Sequence, residues 1–417
     1  MTEQDSGGST TATDLQDERL LRSSGVGGSI MAFVSRVRNG DLGSLPVVIG
    51  LIVIWVVFQV LNSDFLSSNN LVNLTLQCAA TGTIAVGVVL VLLLAQIDLS
   101  VGSVSGLAAA ILGVGLTRYG WPLAVTIVIA LAAGIAIGLL YAFLFVRFGV
   151  PSFVITLAGL LAFLGLQLWI LGPNGSINIP FESWAVQFAQ QMFVPPIVAY
   201  LLAAVASIGF GLSGYLTGRQ RKQHGLSATS LVETLIKSIL LFLVLAGAAW
   251  YLNTDRGVGA SFLLFIVIVV IMNYALTRTR WGRSVYAVGG NVEAARRAGI
   301  RVNRIYVSVF ALSSLFAVLG GLLAAARLTS ASLSSGGGDV NLNAIAAAVI
   351  GGTSLFGGRG SAYSALLGIL VIQSISSGLI LLSLGSPERY MITGAVLLLA
   401  VIIDSLSRRS RASHGRA

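Results

Sequence analysis

Residues 71–95 read LVNLTLQCAATGTIAVGVVLVLLLA, with no charged side chain. A helix needs about 20 apolar residues to cross the ~30 Å hydrocarbon layer of a bilayer, and this run is long enough. Asn70, Asn73, Gln77 and Thr81 recur through it at spacings of 3, 4 and 4, which puts them on one helix face. A polar stripe on a membrane helix has two readings. It lines a path for a polar solute, or it glues packed helices together through hydrogen bonds between them.

Outward from this stretch the pattern repeats. Apolar segments also fall at 46–61, 99–117, 121–145, 151–171, 195–217, 233–252, 260–277, 304–326, 341–356, 361–384 and 389–404. The chain of 417 residues is 56% hydrophobic and 10% charged, against a soluble norm of about 25% charged, and its mean hydropathy is +0.91. Nothing in it resembles the alternating ~10-residue segments of an outer-membrane barrel. The expected fold is therefore all-α: a polytopic membrane protein of about twelve transmembrane segments, or ten full spans plus re-entrant pieces. The segments at 99–117 and 341–356 are short and Gly-rich, which marks them as the candidates for broken or re-entrant helices. Residues 1–44 are too polar to bury a core and are expected to form a disordered cytoplasmic tail. Residues 45–404 make the transmembrane domain, 278–303 its large cytoplasmic loop, and 405–417 a basic cytoplasmic tail. The first apolar run has no small-residue cleavage site after it, so it is expected to remain as the first span.

The net charge of +10 might suggest a nucleic acid partner, but the positions of the basic residues track a membrane instead. With the N-terminus inside, 20 of the 25 Lys and Arg residues face the cytoplasm, including Arg147, Arg219, Arg221, Lys222, Arg359 and seven between Arg278 and Arg304. Arg118, Arg256, Arg327 and Arg389 fall outside, and Lys237 follows Glu233 by one helical turn. This is the positive-inside pattern, with both termini in the cytoplasm of a cell whose inner membrane the chain spans. The acidic loop at 172–194 carries Trp184 and Phe188 four residues apart and reads as an amphipathic element at the outer interface.

Several chemistries are disfavoured. Only two lysines are present, Lys222 and Lys237, and neither follows a glycine, so the chain has no Gly-Lys-Ser/Thr phosphate cradle. The single cysteine, Cys78, reads as a small buried hydrophobe, and His224 and His414 sit in polar segments. No cofactor or metal is expected. An ion-coupled carrier places carboxylates within the membrane, and of fifteen Asp and Glu residues only Asp98 lies far from an evident loop or helix end. Asp98 is also well placed to cap a helix starting at Leu99 by accepting from the Ser100 or Val101 N–H; a cap that faces a cavity would join both roles. The glycines at 102, 106 and 351–360 read as close-packing or helix-breaking positions rather than a phosphate site.

The basic loop contains Val-Gly-Gly-Asn-Val-Glu-Ala-Ala-Arg-Arg-Ala-Gly-Ile at 288–300. Asn291 is a good N-cap and Gly299 a good C′ residue, bracketing a helix from Val292 to Ala298 about 10 Å long. Val292, Ala295 and Ile300 would give it a small apolar face, with Glu293, Arg296 and Arg297 polar. Such a helix either rests on anionic lipid or docks a partner protein.

This loop resembles the coupling loop of permeases in sugar-importing ABC systems of the ribose and xylose type. So do Gln-Ile-Asp-Leu-Ser-Val-Gly-Ser at 96–103 and Val-Ile-Gly-Gly-Thr-Ser-Leu-Phe-Gly-Gly-Arg-Gly-Ser at 349–361. The three motifs come in the same order over nearly the whole chain. The extra helical pair around Arg219–His224, and Pro-Ser-Phe-Val-Ile-Thr-Leu-Ala-Gly at 151–159, are similar to the xylose branch. The resemblance implies a type II-like importer permease, itself no enzyme, moving a monosaccharide, xylose first. Its partners would be a second permease copy, a cytoplasmic ATPase subunit, a periplasmic sugar-binding protein and membrane lipid, with no nucleic acid. Gly290, Asn291, Val292, Glu293, Ala294, Ala295 and Gly299 would form the ATPase-docking element, with small residues needed at Ala294 and Ala295. Asn73, Gln77, Thr81, Asp98 and Ser100 are the candidates for the translocation path. The chain departs from the pattern at Gln96, where Glu is common, and at Asn341 and Asn343, where acidic residues are common. Ribose, galactose or several sugars, a nucleoside or an autoinducer remain alternative cargoes, and an ion-coupled carrier or an intramembrane enzyme alternative classes.

Overall fold

The computed structural model of the chain describes residues 45–224 and 230–402, apart from 389, 397, 400 and 401. The expected tails at 1–44 and 405–417 lie outside the described residues. Two compact units emerge. One holds Pro195–Asn253; the other holds the described residues of Gly43–Val194 and Thr254–Arg409.

The larger unit begins with α1 (Leu45–Leu61), α2 (Ser68–Leu93) and α3 (Val101–Gly113), the last prolonged by a π-helical turn over Val114–Arg118. Then come α4 (Leu123–Phe148), α5 (Ser152–Leu171), strand β1 (Ser176–Asn178) and the single turn α6 (Trp184–Val186). The smaller unit contributes α7 (Pro196–Gln223) and α8 (Leu231–Leu252). The chain returns through α9 (Ala260–Arg278), α10 (Arg280–Gly290), α11 (Val292–Arg297), α12 (Val302–Leu328), strand β2 (Ser330–Ser332), α13 (Gly338–Ile350) and α14 (Ala362–Leu381). The described residues of 386–402 are helical.

Local chemistry sets these limits. Ser67 opens α2 by accepting from the Asn70 N–H, and Ser230 opens α8 by accepting from that of Glu233. Gly149, at φ +67°, closes α4 with its N–H on the Phe145 carbonyl, and Pro151 starts α5 two residues on. Among the described residues, nine helices are long and apolar enough to cross a membrane. Two shorter apolar helices fall outside the nine: α1, whose described residues number 17, and α13, one of the two segments expected to be broken or re-entrant, whose 13 residues span only about 20 Å, too little for a ~30 Å layer. The weak segment at 99–117, by contrast, reaches membrane length through its π turn.

Three features depart from the sequence expectations. The loop between Arg278 and Arg304 holds two helices, not one, because Thr279 caps a further helix at the Gly282 N–H and Trp281, Val285 and Val288 give it an apolar side. The outer loop forms a strand: β1 pairs antiparallel with β2, Ile177 opposite Ala331. The helix at 99–117 starts at Val101, two residues late. The expected amphipathic element at 184–191 is present, with the Trp184 and Phe188 rings stacked 5.1 Å apart.

α2 and α12 form the centre of the larger unit. From Val72 onward every residue of α2 is buried except Asn73, Gln77 and Thr81. Lipid gives helices no hydrophobic reason to associate, so close packing of small residues must hold them together. On α4, Gly134 and Gly138 make this possible: a Cβ on Gly138 would lie 2.5 Å from the Phe310 carbonyl oxygen of α12. Within the smaller unit, Gly211 and Gly214 of α7 lie against Ser238 and Thr234 of α8, and Lys237 pairs with Glu233 at 2.6 Å. Most other apolar side chains of that hairpin are exposed, as lipid-facing surfaces are.

Gly138→Leu should therefore separate α4 from α12 and lower the melting temperature of the purified protein, overpacking of this kind costing about 1–3 kcal/mol. Gly165→Leu, where nothing lies within 4 Å of the added carbon, should melt with the unaltered chain. Equal melting of both variants would contradict the packing.

Candidate functional site

One end of the larger unit brings the motifs at 288–300 and 349–361, backbone against backbone, onto the end of α2 immediately before the motif at 96–103. The Gly358 N–H donates to the Leu93 carbonyl at 2.9 Å. A Cβ on Gly289 would overlap that same carbonyl, and one on Gly357 would fall 2.7 Å from the Gly289 oxygen and 2.9 Å from Ala95. The Tyr286 hydroxyl donates to the Gly360 carbonyl at 2.8 Å, and burial pushes its pKa up, so it keeps the proton that makes the bond. The glycines of 351–360 thus serve close approach, with Gly352, Gly357, Gly358 and Gly360 at positive φ.

Beside this junction lies Asp98, 2% exposed. One carboxyl oxygen accepts from the Ser100 N–H at 2.9 Å and the Ser100 hydroxyl at 2.7 Å; the other accepts from Ser313 of α12 at 3.3 Å. The expected bond to Ser100 forms, but as a side-chain turn preceding the helix, since Ser100 itself is the N-cap residue. Asn341 of α13 adds a link by donating to the Leu99 carbonyl at 2.8 Å.

The Asn291 helix is capped as read: its side chain accepts from the Ala294 N–H at 2.9 Å. Its far end is a Schellman motif, Ile300 N–H to Ala295 carbonyl and Gly299 N–H to Arg296 carbonyl, with Gly299 at φ +80°. The apolar face points inward, however. Ala295 is buried, and Val292 and Ile300 pack on the chain's own core, so that face is not open to a partner. What is exposed is the opposite side, Glu293, Ala294, Arg296, Arg297, Ala298 and Gly299, with Glu293 and Arg296 paired at 2.8 Å. Gly290, also exposed, touches Gly358 of the junction.

The polar face of α2 divides by residue. Asn70 is tied to α14, accepting from the Ser377 hydroxyl at 2.8 Å while its amide donates to Phe65. Asn73 accepts from Arg256 at 2.8 Å. The side chains of Gln77 and Thr81 have no hydrogen bond to a described residue and lie half-open. Thr81 borders a cavity of about 150 Å³, with Asp339 and Asn343 of α13, Gln373 and Ser376 of α14, and Tyr390 and Thr393. Asp98 and Ser100 are not among its walls. The sequence reading missed the α14 pair, although Gln373 and Ser376 stand three apart, with Ser374 and Ser377 beside them, in a mainly apolar run, and it treated Asn343 only as a departure. Among the described residues no group of three His, Cys, Asp or Glu side chains can hold a metal.

Membrane-length helices packed around polar positions define a multi-pass integral membrane protein. A family described as the branched-chain amino acid transport system, permease component, matches residues 70–401. The xylose transport system permease protein of Escherichia coli (strain K12) is 38% identical over 346 residues, 83% of this chain and 87% of that protein. That of Haemophilus influenzae is 36% identical over 375 residues, 90% and 99% of the two chains. The ribose import permease protein of Escherichia coli (strain K12) is 32% identical over 362 residues, 86% and 92%. No solved structure matches the chain. The chain belongs to this family of transport permeases, and it is a transporter component rather than an enzyme.

Replacing Asp98 with Leu removes three hydrogen bonds at a buried turn, at roughly 1 kcal/mol each. Asp98→Leu should thus lower the melting temperature by several degrees, and Asp98→Asn, which keeps an acceptor oxygen, should recover part of the loss. Full stability in Asp98→Leu would mean that the turn is held by other contacts.

Proposed function

We propose that the chain is the membrane-spanning permease of an ATP-driven bacterial importer and carries a monosaccharide, xylose before other sugars, across the inner membrane. The observation that carries this reading is the 36–38% identity, over most of both chains, to relatives named as xylose permeases, together with the meeting of the motifs at 288–300 and 349–361 on the end of α2 immediately before that at 96–103. Two permease copies would assemble with cytosolic ATPase subunits and a periplasmic sugar-binding protein.

Charge argues the orientation. Arg147, the arginines from Arg278 to Arg304, and Arg359 lie at or flank the junction end, whereas Arg118 and Arg327 close helices of the larger unit that run to the other, where Arg256 reaches Asn73 near the start of α2. The positive-inside rule assigns the junction to the cytoplasm. There the ATPase would meet the exposed side of α11, and the fixed contacts of α10 with Leu93 and Gly358 would pass its movement to α2, α13 and α14. The polar face Asn73, Gln77, Thr81 would carry the sugar, while Asp98 and Ser100 hold the helix start beside it. Lipid would cover α1 and the outward sides of α4 and α5, where Val60 is 80% and Trp169 79% exposed.

In cells supplying the matching ATPase and binding protein, the chain should restore uptake of labelled xylose. The chain alone in liposomes should move none, under either a proton or a sodium gradient; gradient-driven uptake would establish a secondary carrier instead. Ala298→Trp and Gly299→Val should leave insertion intact but reduce co-purification of the ATPase, the first by blocking the open side, the second because a β-branched residue at φ +80° is strained by about 1–3 kcal/mol. Normal subunit ratios in both would remove α11 as the docking element. Ala295→Trp is unsuited to this test, since it would disturb the chain's own packing.

A further inference from the structure

We propose that the cavity beside Thr81 is a way-station for the transported solute within the membrane, built to hold a neutral polyhydroxylated molecule by exchangeable hydrogen bonds. The inference deepens the sugar-importer reading and rests on it. Depth comes first. Thr81 is 13 residues from the start of α2 and 12 from its end, so the cavity borders the middle of a helix about 39 Å long. α13, too short to cross, joins the junction loop at its C-terminal end, and its first turn brings Asp339 to the cavity.

Polarity comes second. Thr81, Asp339, Asn343, Gln373, Ser376 and Thr393 line the space, and none of the six has a side-chain hydrogen bond to a described residue. The pairs come from three helical segments, at i,i+4 on α13 and i,i+3 on α14 and at 390–393, so each segment turns a polar face to one point. Polar groups at this depth need partners, and the protein supplies none here although it satisfies Asp98 and Asn70 nearby. The volume, about 150 Å³, is many times what a single water needs, and it suits several waters or a solute of monosaccharide size. A carboxylate and amide oxygens accept from hydroxyls; amide N–H groups and hydroxyls donate to them. Rotatable amides and hydroxyls of both kinds suit a polyol in more than one orientation, as passage requires.

The test uses the complete importer. Asn343→Leu and Gln373→Leu should each lower the maximal rate of xylose uptake at least about tenfold while the subunits still co-purify, and Asn343→Gln should recover part of the rate. Leu342→Ala, at an exposed apolar neighbour outside the cavity, should transport normally. In a Cys78→Ala background, Gln373→Cys should react with a water-soluble thiol reagent, and millimolar xylose should slow the reaction. Undiminished uptake in both leucine variants, or labelling that sugar does not slow, would overturn the way-station and leave a water-filled gap or a surface covered by the second copy. Failure of the importer reading looks different: the unaltered assembly would then move no sugar at all.

Discussion

The hydrogen bond from Gly358 to the Leu93 carbonyl is the contact on which the larger unit depends. A helix that ends inside or at the edge of a membrane leaves carbonyls that water does not reach freely, and each must find a donor. Leu93 finds it in the backbone of a loop 265 residues further on. Backbone reaches backbone only where side chains are absent, which is why Gly289 and Gly357 stand in the same contact. The ends of α2 and α10 and the loop from α13 to α14 thereby touch backbone to backbone, and a shift of one must carry the others or break these contacts.

Those contacts explain how a cytoplasmic event can reach mid-membrane without a long relay. α13 runs about 20 Å from the junction at its C-terminal end to Asp339 in its first turn, with Asn343 in the cavity wall on the way and Asn341, tied to the Leu99 carbonyl, half a turn beyond it. Asp98 fastens the intervening turn to α12 through Ser313. A rigid displacement of the junction would therefore change the cavity directly, since one short helix belongs to both.

How much of this the sequence disclosed follows from the range of each interaction. Spans and the α11 helix with its caps were legible because hydrophobic length, Asn291 and Gly299 act within a few residues. The polar face of α2 was legible as a period. Its partition was not: Asn70 bonds Ser377 across 307 residues and Asn73 bonds Arg256 across 183, while Gln77 and Thr81 do neither, and the four look alike in sequence. The inward turn of Ala295 was hidden for the same reason, since a small apolar face on a short helix fits its own protein as well as a partner. The β1–β2 pair was missed because three-residue strands of Ser, Ile, Asn and Ala carry no pattern of their own. α10 left a signal in Trp281, Val285 and Val288, which the surrounding arginines obscured.

The two carboxylates deep in the larger unit show what separates scaffold from site. Asp98 accepts three hydrogen bonds and has no room for another molecule. Asp339 accepts none from a described residue and faces open space with five other polar side chains in the same condition. These six are half-open rather than buried, so water or a solute that enters the cavity supplies the partners that lipid could not. A charged cargo would call for a fixed counter-charge and good geometry, because burying ions is costly unless they pair well. One carboxylate among neutral amides and hydroxyls does not provide that for an anion. It does suit a neutral solute whose hydroxyls donate and accept in turn, and whose release costs no more than the exchange of those bonds for bonds to water.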